Sequence, residues 1–348
     1  GHRLRSLTLV PHAAGLGAKD FKSDQEVRWC PGCGDYAILA AFQGFLPELH
    51  IARANIVMIS GIGCAARFPY YMNTYGVHSI HGRAPAIATG LAATRPDLSV
   101  WVVTGDGDAL SIGGNHLIHA LRRNVNLTIL LFNNRIYGLT KGQYSPTSET
   151  GKITKSTPFG SVDNPFNPIS LALGAEATFV ARTLDSDRKH LTEVLRQAAA
   201  HQGASLVEIY QNCNIFNDGA FDLLKDPETR GEWIVPLTHG EPIRFGDGRA
   251  VIRDPATGSL QVASQVAEDD PRVVVHDTHA VDPSYAFALS RLSQADSRLS
   301  PMGVFRDVER PSYDRLVNEQ LDLAKLSGSG DAVALAELIR GSDPWTIN

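Results

Sequence analysis

The sequence is poor in cysteine: Cys30, Cys33, Cys64 and Cys213 are the only four in 348 residues. So few cysteines argue against a disulfide-stapled secreted scaffold and favour a metal centre or a catalytic thiol. Basic residues are not in excess either, since 32 Lys and Arg against 37 Asp and Glu give a net charge of -5. This balance argues against nucleic acid as a partner.

Long apolar runs are also lacking. The most apolar stretches, 55–66 and 127–134, are shorter than the roughly 20 residues that cross a bilayer. The first twenty residues are too polar, and too interrupted by Pro and Gly, for a signal peptide. We therefore predict a cytoplasmic protein without a membrane partner. No GxGxxG opens a helix after a strand, so the sequence has no nicotinamide-dinucleotide fingerprint.

The sequence does contain short, β-rich apolar runs without polar alternation, at 55–60, 99–105, 126–133 and 205–210. Such runs are typical of parallel strands that are covered on both faces. Helical patterns lie around them at 34–46, 84–95, 114–124 and 187–203. This alternation predicts an α/β fold, with a doubly wound, mostly parallel sheet and helices on both faces.

The pattern divides the chain into three parts. Residues 1–28 form an irregular lead-in, 29–234 form the main domain, and 235–348 form a C-terminal extension that wraps it. In the extension we expect a hairpin within 245–263 and helices at 312–326 and 331–340. The polar segment 140–168 is too long for a routine connection and is of the kind that often covers an active site.

Polar or cysteine-containing segments follow each of the four apolar runs. These are "GIGCAAR" with Cys64, "GDGD" at 105–108, "NNRIYGL" at 133–139 and "QNCN" with Cys213. Because the carboxyl ends of parallel strands meet at one edge of a sheet, and ligands bind there, we expect these segments to form one site.

The "GDG" at 105–107 suits a magnesium-bridged diphosphate. Gly105 and Gly107 let the backbone approach a phosphate, and the Asp106 carboxylate, the Asn134 amide and the Ile136 carbonyl are oxygen ligands of the kind Mg²⁺ prefers. The alternative for the asparagines is a simple turn leaving a strand. A second copy of the tripeptide, at 246–248, lies within the expected hairpin, where Asp-Gly is favoured turn chemistry.

The CxxC pair at 30–33 leaves three possibilities open. It is half of a zinc site, a redox disulfide, or two of the four thiolates of an iron–sulfur cluster. A helix that begins directly after the pair would favour the thiolate form. Zinc usually draws on close-spaced pairs, whereas Cys64 and Cys213 are solitary, and buried structural cysteines are a further alternative.

A family resemblance narrows these possibilities. The run "GDGDALSIGGNHLIHALRRNVNLTILLFNNRIYGLTKGQYSPTS" resembles the thiamine diphosphate motif. Residues 25–230, together with "SPMGVFR" at 300–306, resemble the β subunit of 2-oxoacid:ferredoxin oxidoreductases. The resemblance implies thiamine diphosphate with Mg²⁺ on Asp106, Asn134 and Ile136. It also implies a 4Fe-4S cluster on Cys30, Cys33, Cys64 and Cys213.

The resemblance also assigns roles around the cofactor. The implied cofactor-binding residues are Ile62, Gly63, Cys64, Ala65, Gly105, Asp106, Gly107, Asp108, Asn134, Gly138 and Leu139. Each of the three candidate catalytic residues also has a non-catalytic interpretation. Arg67 would bind a substrate or coenzyme A anion, or is a surface arginine. His81 would contact cofactor or substrate, or is structural. Lys141 would pair with the distal carboxylate of 2-oxoglutarate, or is solvated.

The implied activity is oxidative decarboxylation of 2-oxoglutarate with coenzyme A to succinyl-CoA and CO₂, with electrons passing through the cluster to ferredoxin in a reversible reaction. The family also implies an α subunit, in a heterotetramer of two α and two β chains, that supplies the glutamate acting on the aminopyrimidine. The alternatives are a pyruvate or broad 2-oxoacid enzyme, a non-redox thiamine enzyme, and a noncatalytic subunit with structural zinc.

Overall fold

The main sheet carries the elements that build the site. The computed structural model describes residues 15–326 and 332–345, and within these ranges the sheet has eight strands. In spatial order they are β2 (Tyr75–His78), β1 (Ile56–Ser60), β3 (Ser99–Gly105), β4 (Leu127–Asn133), β6 (Ala204–Tyr210), β5 (Phe179–Leu184), β11 (Ser300–Asp307) and β7 (Ile234–Leu237). The first six strands in this order pair in parallel. Strand β11 runs antiparallel to β5, and β7 is parallel to β11.

Helices cover both faces of this sheet, as the sequence predicts. They are α1 (Asp35–Phe45), α2 (Ala84–Thr94), α3 (Asp106–Leu110), α4 (Gly114–Arg122), α5 (Pro168–Gly174), α6 (Arg188–Ala200), α7 (Asp222–Lys225), α8 (Arg230–Trp233), α9 (Ser284–Ser290), α10 (Leu292–Ala295), α11 (Tyr313–Leu326) and α12 (Ala332–Arg340). Short 3₁₀ helices span Ala18–Phe21, Leu46–Leu49, Arg53–Asn55 and Ala65–Tyr71.

Alternate residues of the strands enter two separate cores. Val57 and Ile59 of β1 pack with α2, α4 and α5 on one face, whereas Ile56 and Met58 pack with α1 and α6 on the other. All five residues of β1 are therefore buried. This explains why the run shows no polar alternation, because side chains of a strand point alternately to the two faces and both faces are covered.

The C-terminal part completes the main sheet as well as covering it. β7 and β11 are strands of the main sheet, and β8 (Arg244–Phe245), β9 (Arg249–Arg253) and β10 (Leu260–Ala263) form a separate antiparallel sheet. The expected hairpin is therefore present. The three-part division at residues 28 and 234 stays a prediction, and the sheet continues across the second boundary.

Parts of three expected segments lie outside the described residues. These are residues 1–14 of the lead-in, residues 327–331 and 346–348 of the C-terminal extension, and residue 331 of the last helix. Over the ranges 15–326 and 332–345, no helix has both the length and the apolar character that a membrane span requires.

Candidate functional site

Four strand ends build the site, and they are neighbours in the sheet. Ser60 of β1 pairs with Val103 of β3, and Gly105 pairs with Phe132 of β4. Asn133 in turn pairs with Tyr210 of β6. The segments that follow these strands therefore leave the sheet at one edge, in agreement with the expectation from the sequence.

Asp106 is the first residue of α3 and is only 2 % exposed. Its Oδ2 accepts hydrogen bonds from Ser145 Oγ at 2.5 Å and from Thr147 Oγ1 at 2.6 Å. Burial raises the pKa of the Asp106 carboxyl to about 6, and the rise is limited to that value partly because the two hydroxyls stabilise the carboxylate. The side chain is thus a buried, oriented carboxyl at the rim.

Gly107 is required by close packing. A Cβ at this position would lie 2.2 Å from Cε1 of Tyr137, whose hydroxyl donates to the Gly107 carbonyl at 3.0 Å. Any side chain would displace the Tyr137 ring. The glycine therefore lets the N-terminus of α3 pack against the segment after β4.

The two asparagines after β4 have different surroundings. Asn134 Oδ1 accepts from the Ile136 amide at 3.2 Å, which is the local turn named as the alternative to a metal ligand. Asn217 Nδ2 donates to the Asn134 carbonyl at 2.9 Å. Asn133 instead faces inward, where its Nδ2 donates to Glu208 Oε1 at 2.7 Å. Magnesium binding by Asn134 and Ile136 stays a prediction.

The cysteines come from three parts of the chain and are all free thiols. A Cβ at Gly138 would lie 3.6 Å from Cys64 Sγ and 3.7 Å from Cys213 Sγ, so these two sulfurs flank the same point. Cys33 Sγ accepts from Gln211 Nε2 at 3.2 Å, two residues before Cys213. Trp29 Nε1 donates to the Cys64 carbonyl at 2.7 Å, which ties the CxxC segment to the loop after β1.

The electrostatics of the thiols differ from the expectation of a helix-stabilised thiolate. Burial raises the pKa of Cys33 well above its usual range, with the charges of Asp35, Cys213 and Cys64 adding to the effect. Burial, together with the charges of Asp35, Cys213 and Cys30, raises the pKa of Cys64 to about 12, and the Arg67 cation opposes the rise. A bound cationic centre would relieve this repulsion and stabilise the thiolates of Cys33 and Cys64.

Asp108 organises the loops on the other side of the site. Its Oδ1 accepts from the Ile62 amide at 3.1 Å, from the Gly82 amide at 2.7 Å and from His81 Nδ1 at 2.6 Å. Its Oδ2 accepts from Thr104 Oγ1 at 2.7 Å. The carboxylate is thus occupied by protein donors, and it holds His81 and the Ile62 loop together.

Lys141 lies in a tight hairpin after β4. The hairpin is closed by hydrogen bonds from Tyr137 N to Gln143 O and from Gly142 N to Tyr137 O, both 2.8 Å. Lys141 is exposed and has φ +82, a left-handed conformation that favours glycine. Gly138 and Leu139 share this hairpin, so the predicted cofactor contacts and the predicted substrate lysine lie within four residues.

Arg67 lines a cavity of about 320 Å³ together with Ile62, Gly63 and Leu139. Arg28 and His78 lie in the same wall, although the lead-in and β2 were not expected to contribute. The Arg28 amide is anchored by the Tyr71 hydroxyl at 2.9 Å. No sequence signal distinguishes Arg28 from other exposed arginines.

Sequence reasoning also missed Ser145 and Thr147, which hold Asp106. They belong to "SPTS", at the end of the sequence run that resembles the thiamine diphosphate motif. Their place in that run is the only sequence feature that indicates a role at the site. Among the residues that the structure describes, no group of three or more His, Cys, Asp or Glu side chains is set closely enough to hold a metal ion.

Comparison with known proteins agrees with this geometry. Residues 61–209 match the family model described as "Thiamine pyrophosphate enzyme, C-terminal TPP binding domain". The fold and this match thus define the thiamine diphosphate-binding domain of a thiamine enzyme.

Particular relatives specify the family. The chain is 63 % identical, over 95 % of its length and 88 % of the relative's, to the 2-oxoglutarate oxidoreductase subunit KorB of Mycobacterium tuberculosis. It is 44 % identical to the β subunit of 2-oxoacid:ferredoxin oxidoreductase 1 of Aeropyrum pernix, over 59 % of this chain and 64 % of that one. The chain belongs to the β subunits of the 2-oxoacid:ferredoxin oxidoreductases.

A solved structure is similar over almost the whole chain. It is the 2-oxoglutarate:ferredoxin oxidoreductase of Magnetococcus marinus with 2-oxoglutarate, coenzyme A and succinyl-CoA bound. The TM-score is 0.74 at 33 % identity, covering 95 % of this chain and 98 % of that chain.

Proposed function

We propose that this chain is the β subunit of an enzyme that oxidatively decarboxylates 2-oxoglutarate with coenzyme A to succinyl-CoA and CO₂, and reversibly exchanges electrons with ferredoxin. One observation carries the proposal: the sulfurs of Cys64 and Cys213 flank Gly138 at the same sheet edge as the buried Asp106. A single edge thus offers thiols for an electron carrier beside a carboxylate for a divalent cation. The names of the Mycobacterium and Magnetococcus relatives support 2-oxoglutarate as the substrate.

The cofactor site would be filled by thiamine diphosphate and Mg²⁺. Asp106, Asn134 and Ile136 would hold the metal ion, and Gly105 and Gly107 would admit the diphosphate. Ile62, Gly63, Cys64 and Ala65 would line the thiamine pocket, and Gly138 and Leu139 would lie near the diphosphate and thiazolium. The buried carboxyl of Asp106, held by two hydroxyls at the end of β3, fits the metal ion of this group. When bound, thiamine diphosphate supplies the carbon nucleophile and electron sink that decarboxylation of a 2-oxo acid needs.

The four cysteines would hold a 4Fe-4S cluster. The donor types fit, because all four are free thiols, the sulfurs of Cys64 and Cys213 flank Gly138, and burial disfavours uncompensated thiolates at Cys33 and Cys64. Gln211 donates to Cys33 Sγ and would stabilise the thiolate when the cluster is present. The cluster ligands Cys64 and Cys213 lie against Gly138, in the hairpin that carries Lys141.

His81 would act on the substrate through its Nε2. Its Nδ1 contacts Asp108 Oδ1 at 2.6 Å, and an ionised carboxylate only accepts hydrogen bonds, so Nδ1 carries the proton. Asp108 is therefore proposed to orient His81 and the Ile62 loop.

Lys141 would select the substrate. A lysine at φ +82 adopts a conformation that costs a non-glycine residue roughly 1 kcal/mol. Glycine would relieve that cost, so the lysine is best explained by its ammonium group. A charge-assisted contact with the distal carboxylate of 2-oxoglutarate is one that pyruvate lacks.

Arg67 would bind an anion in the cavity beside Ile62 and Leu139. Among the described residues, its guanidinium makes no hydrogen bond or ion pair, and Arg67 lines the cavity. The 1-carboxylate of the 2-oxo acid and the phosphates of coenzyme A are both suitable ligands.

The remaining assignments complete the enzyme. An α subunit would bring the glutamate that acts on the aminopyrimidine, in a heterotetramer of two α and two β chains, and ferredoxin would accept the electrons. We propose that the enzyme is cytoplasmic and acts without nucleic acid or membrane.

The test is an anaerobic assay of the chain, coexpressed with its α subunit, with a viologen dye, coenzyme A and either 2-oxoglutarate or pyruvate. We expect iron and sulfide in the purified enzyme and a higher kcat/KM for 2-oxoglutarate. Equal kcat/KM values would favour the broad-specificity alternative. One zinc per chain without iron, and no turnover, would favour the noncatalytic alternative.

Variants of Lys141 sharpen the substrate assignment. Lys141→Ala should lower kcat/KM for 2-oxoglutarate at least ~10-fold and affect pyruvate less, because it removes a charge-assisted contact. Lys141→Gly should do the same while gaining roughly 1 kcal/mol in stability. Lys155→Ala, at an exposed lysine of the same loop, is the control. Equal losses for both substrates would refute the role of Lys141.

A further inference from the structure

Two hydroxyl groups converge on a single oxygen of Asp106. Ser145 Oγ and Thr147 Oγ1 lie 2.5 and 2.6 Å from Asp106 Oδ2, and both come from the long loop after β4, 39 and 41 residues further along the chain. All three side chains are buried, with exposures of 2, 5 and 2 % for Ser145, Thr147 and Asp106. Bonds of this length from O–H to a carboxylate are charge-assisted and directional.

The two hydroxyls are themselves fixed. Thr147 Oγ1 also lies 2.8 Å from Asn133 Oδ1, so its single proton is shared between this oxygen and Asp106 Oδ2. Asn133 Nδ2 donates to Glu208 Oε1 at 2.7 Å. Glu208 in turn pairs with Arg182 at 2.7 Å, and both charges are buried in the centre of the sheet. Thr147 is thus connected to a rigid part of the core.

Ser145 is held by its own loop. Its amide donates to Ser148 Oγ at 2.8 Å, and Ser148 Oγ donates to the Arg135 carbonyl at 2.6 Å. Arg135 follows Asn134, the other predicted side-chain ligand of the cation. The segment 145–148 therefore connects the two sides of the predicted cation site.

The two carboxylate oxygens of Asp106 differ in their hydrogen-bond donors. Oδ2 has two hydroxyl donors, whereas Oδ1 has no side-chain donor among the described residues. We propose that Ser145 and Thr147 are positioning residues that hold Oδ2, so that Asp106 offers Oδ1 to the divalent cation of the diphosphate. This inference rests on the proposed function, because it requires that a cation binds there.

A purely structural role makes a different prediction. If the hydroxyls only satisfied a buried carboxylate, their loss would lower stability without a specific effect on cation affinity. If they position Asp106, their loss lowers cation affinity specifically. Mutation of a residue that orients a metal ligand typically lowers metal affinity 10- to 100-fold.

The test uses the assembled enzyme with its α subunit, stripped of divalent metal and supplied with excess thiamine diphosphate. Mn²⁺ is titrated in, and bound and free metal are separated by electron paramagnetic resonance. The variants are Thr147→Val, which keeps the shape and removes the hydroxyl, Thr147→Ser, which keeps the hydroxyl, and Ser145→Ala. Ser156→Ala removes an exposed hydroxyl of the same loop and is the control.

We expect Thr147→Val and Ser145→Ala to weaken Mn²⁺ binding ~10-fold or more, and Thr147→Ser and Ser156→Ala to stay within about 3-fold of wild type. Wild-type affinity in Thr147→Val and Ser145→Ala would overturn the inference. Equal weakening in Thr147→Val and Thr147→Ser would also overturn it, since the hydroxyl would then not matter. If the wild-type enzyme bound no Mn²⁺ with thiamine diphosphate, the proposed function itself would fail.

Discussion

The tripeptide Gly-Asp-Gly occurs twice in this chain with opposite outcomes. At 105–107 it connects β3 to α3, with Gly105 at φ -90 and Asp106 turned into the protein. At 246–248 it connects the antiparallel strands β8 and β9, with both glycines left-handed, at φ 54 and 65, and Asp247 exposed. The same three residues thus form a buried strand-to-helix connection, with the predicted cation ligand, in one place and a surface turn in the other.

The difference lies in the elements on either side. A parallel strand has to leave the sheet at its carboxyl end, where neighbouring strand ends add further polar groups. A hairpin reverses directly and needs only backbone that tolerates positive φ. A short motif therefore predicts a site when the surrounding strand and helix pattern is included, and not by its letters alone.

The largest expected effect separates the two aspartates. Asp106→Ala should lower the activity of the assembled enzyme more than roughly 100-fold, because it removes a predicted cation ligand. Asp247→Ala should leave activity unchanged, because its side chain is exposed. Retention of thiamine diphosphate after gel filtration should follow the same order. Full cofactor retention in Asp106→Ala would contradict the site.

The second prediction compares two ion pairs, one near each Gly-Asp-Gly copy. Glu208 and Arg182 are 0 and 2 % exposed and 2.7 Å apart, whereas Glu232 and Arg249, at the hairpin, are 44 and 17 % exposed and 3.6 Å apart. Glu208→Ala should lower the free energy of unfolding by ~3–5 kcal/mol, because it leaves a buried guanidinium without its partner.

The matched change Glu232→Ala should cost less than about 1 kcal/mol, because water screens a partly exposed pair. Denaturant titration of both variants measures the difference. Similar losses in the two variants would mean that the buried pair is not what supports the centre of the sheet.

The same buried pair shows where sequence reasoning stops. The strands β1, β3, β4 and β6 were predicted because both faces are apolar, and the site was predicted because their ends carry cysteine, carboxylate and amide groups. β5, "FVARTL", was missed because Arg182 and Thr183 resemble solvent-facing residues, although all six side chains are buried. β11 pairs with β5 across more than 100 residues of chain, and such distant pairing has no local signal.

The site shows the same limit. The cysteines and Asp106 have chemistry that marks them individually, so their residue types predict a role. Ser145 and Thr147 are hydroxyls in a polar loop, and only their contact with Asp106 distinguishes them from solvated neighbours. Arg28 is distinguished from other arginines only by the fold, which places it in the wall of the cavity.

The third prediction concerns acid sensitivity in the half of the chain that carries the second copy. Burial lowers the pKa of His276 below its ordinary value of 6.5, and its Nε2 contacts the Val304 carbonyl of β11 at 2.7 Å. Between the lowered pKa and 6.5, the unfolded chain binds a proton that the folded chain does not. This contribution to stability is therefore present above pH 6.5 and is lost as the pH falls.

The measurement is the free energy of unfolding at several pH values for wild type and for His276→Gln, whose amide still donates to a carbonyl. The variant should show a flatter dependence below pH 6.5, with a difference in slope of at most about 1.4 kcal/mol per pH unit for one proton. Identical slopes would mean that His276 is not the group responsible.

The smallest expected effect isolates the backbone of the second copy. A Cβ at Gly248 would meet nothing closer than 3.6 Å, so only its φ of 65 opposes a side chain. Gly248→Ala should therefore cost about 1 kcal/mol, and Gly248→Asn less, because asparagine tolerates the left-handed region. Gly231→Ala, in the nearby helix α8 with open space around it, should cost nothing. An equal loss in Gly248→Asn and Gly248→Ala would indicate that side-chain contacts, and not backbone conformation, set the requirement for glycine in this turn.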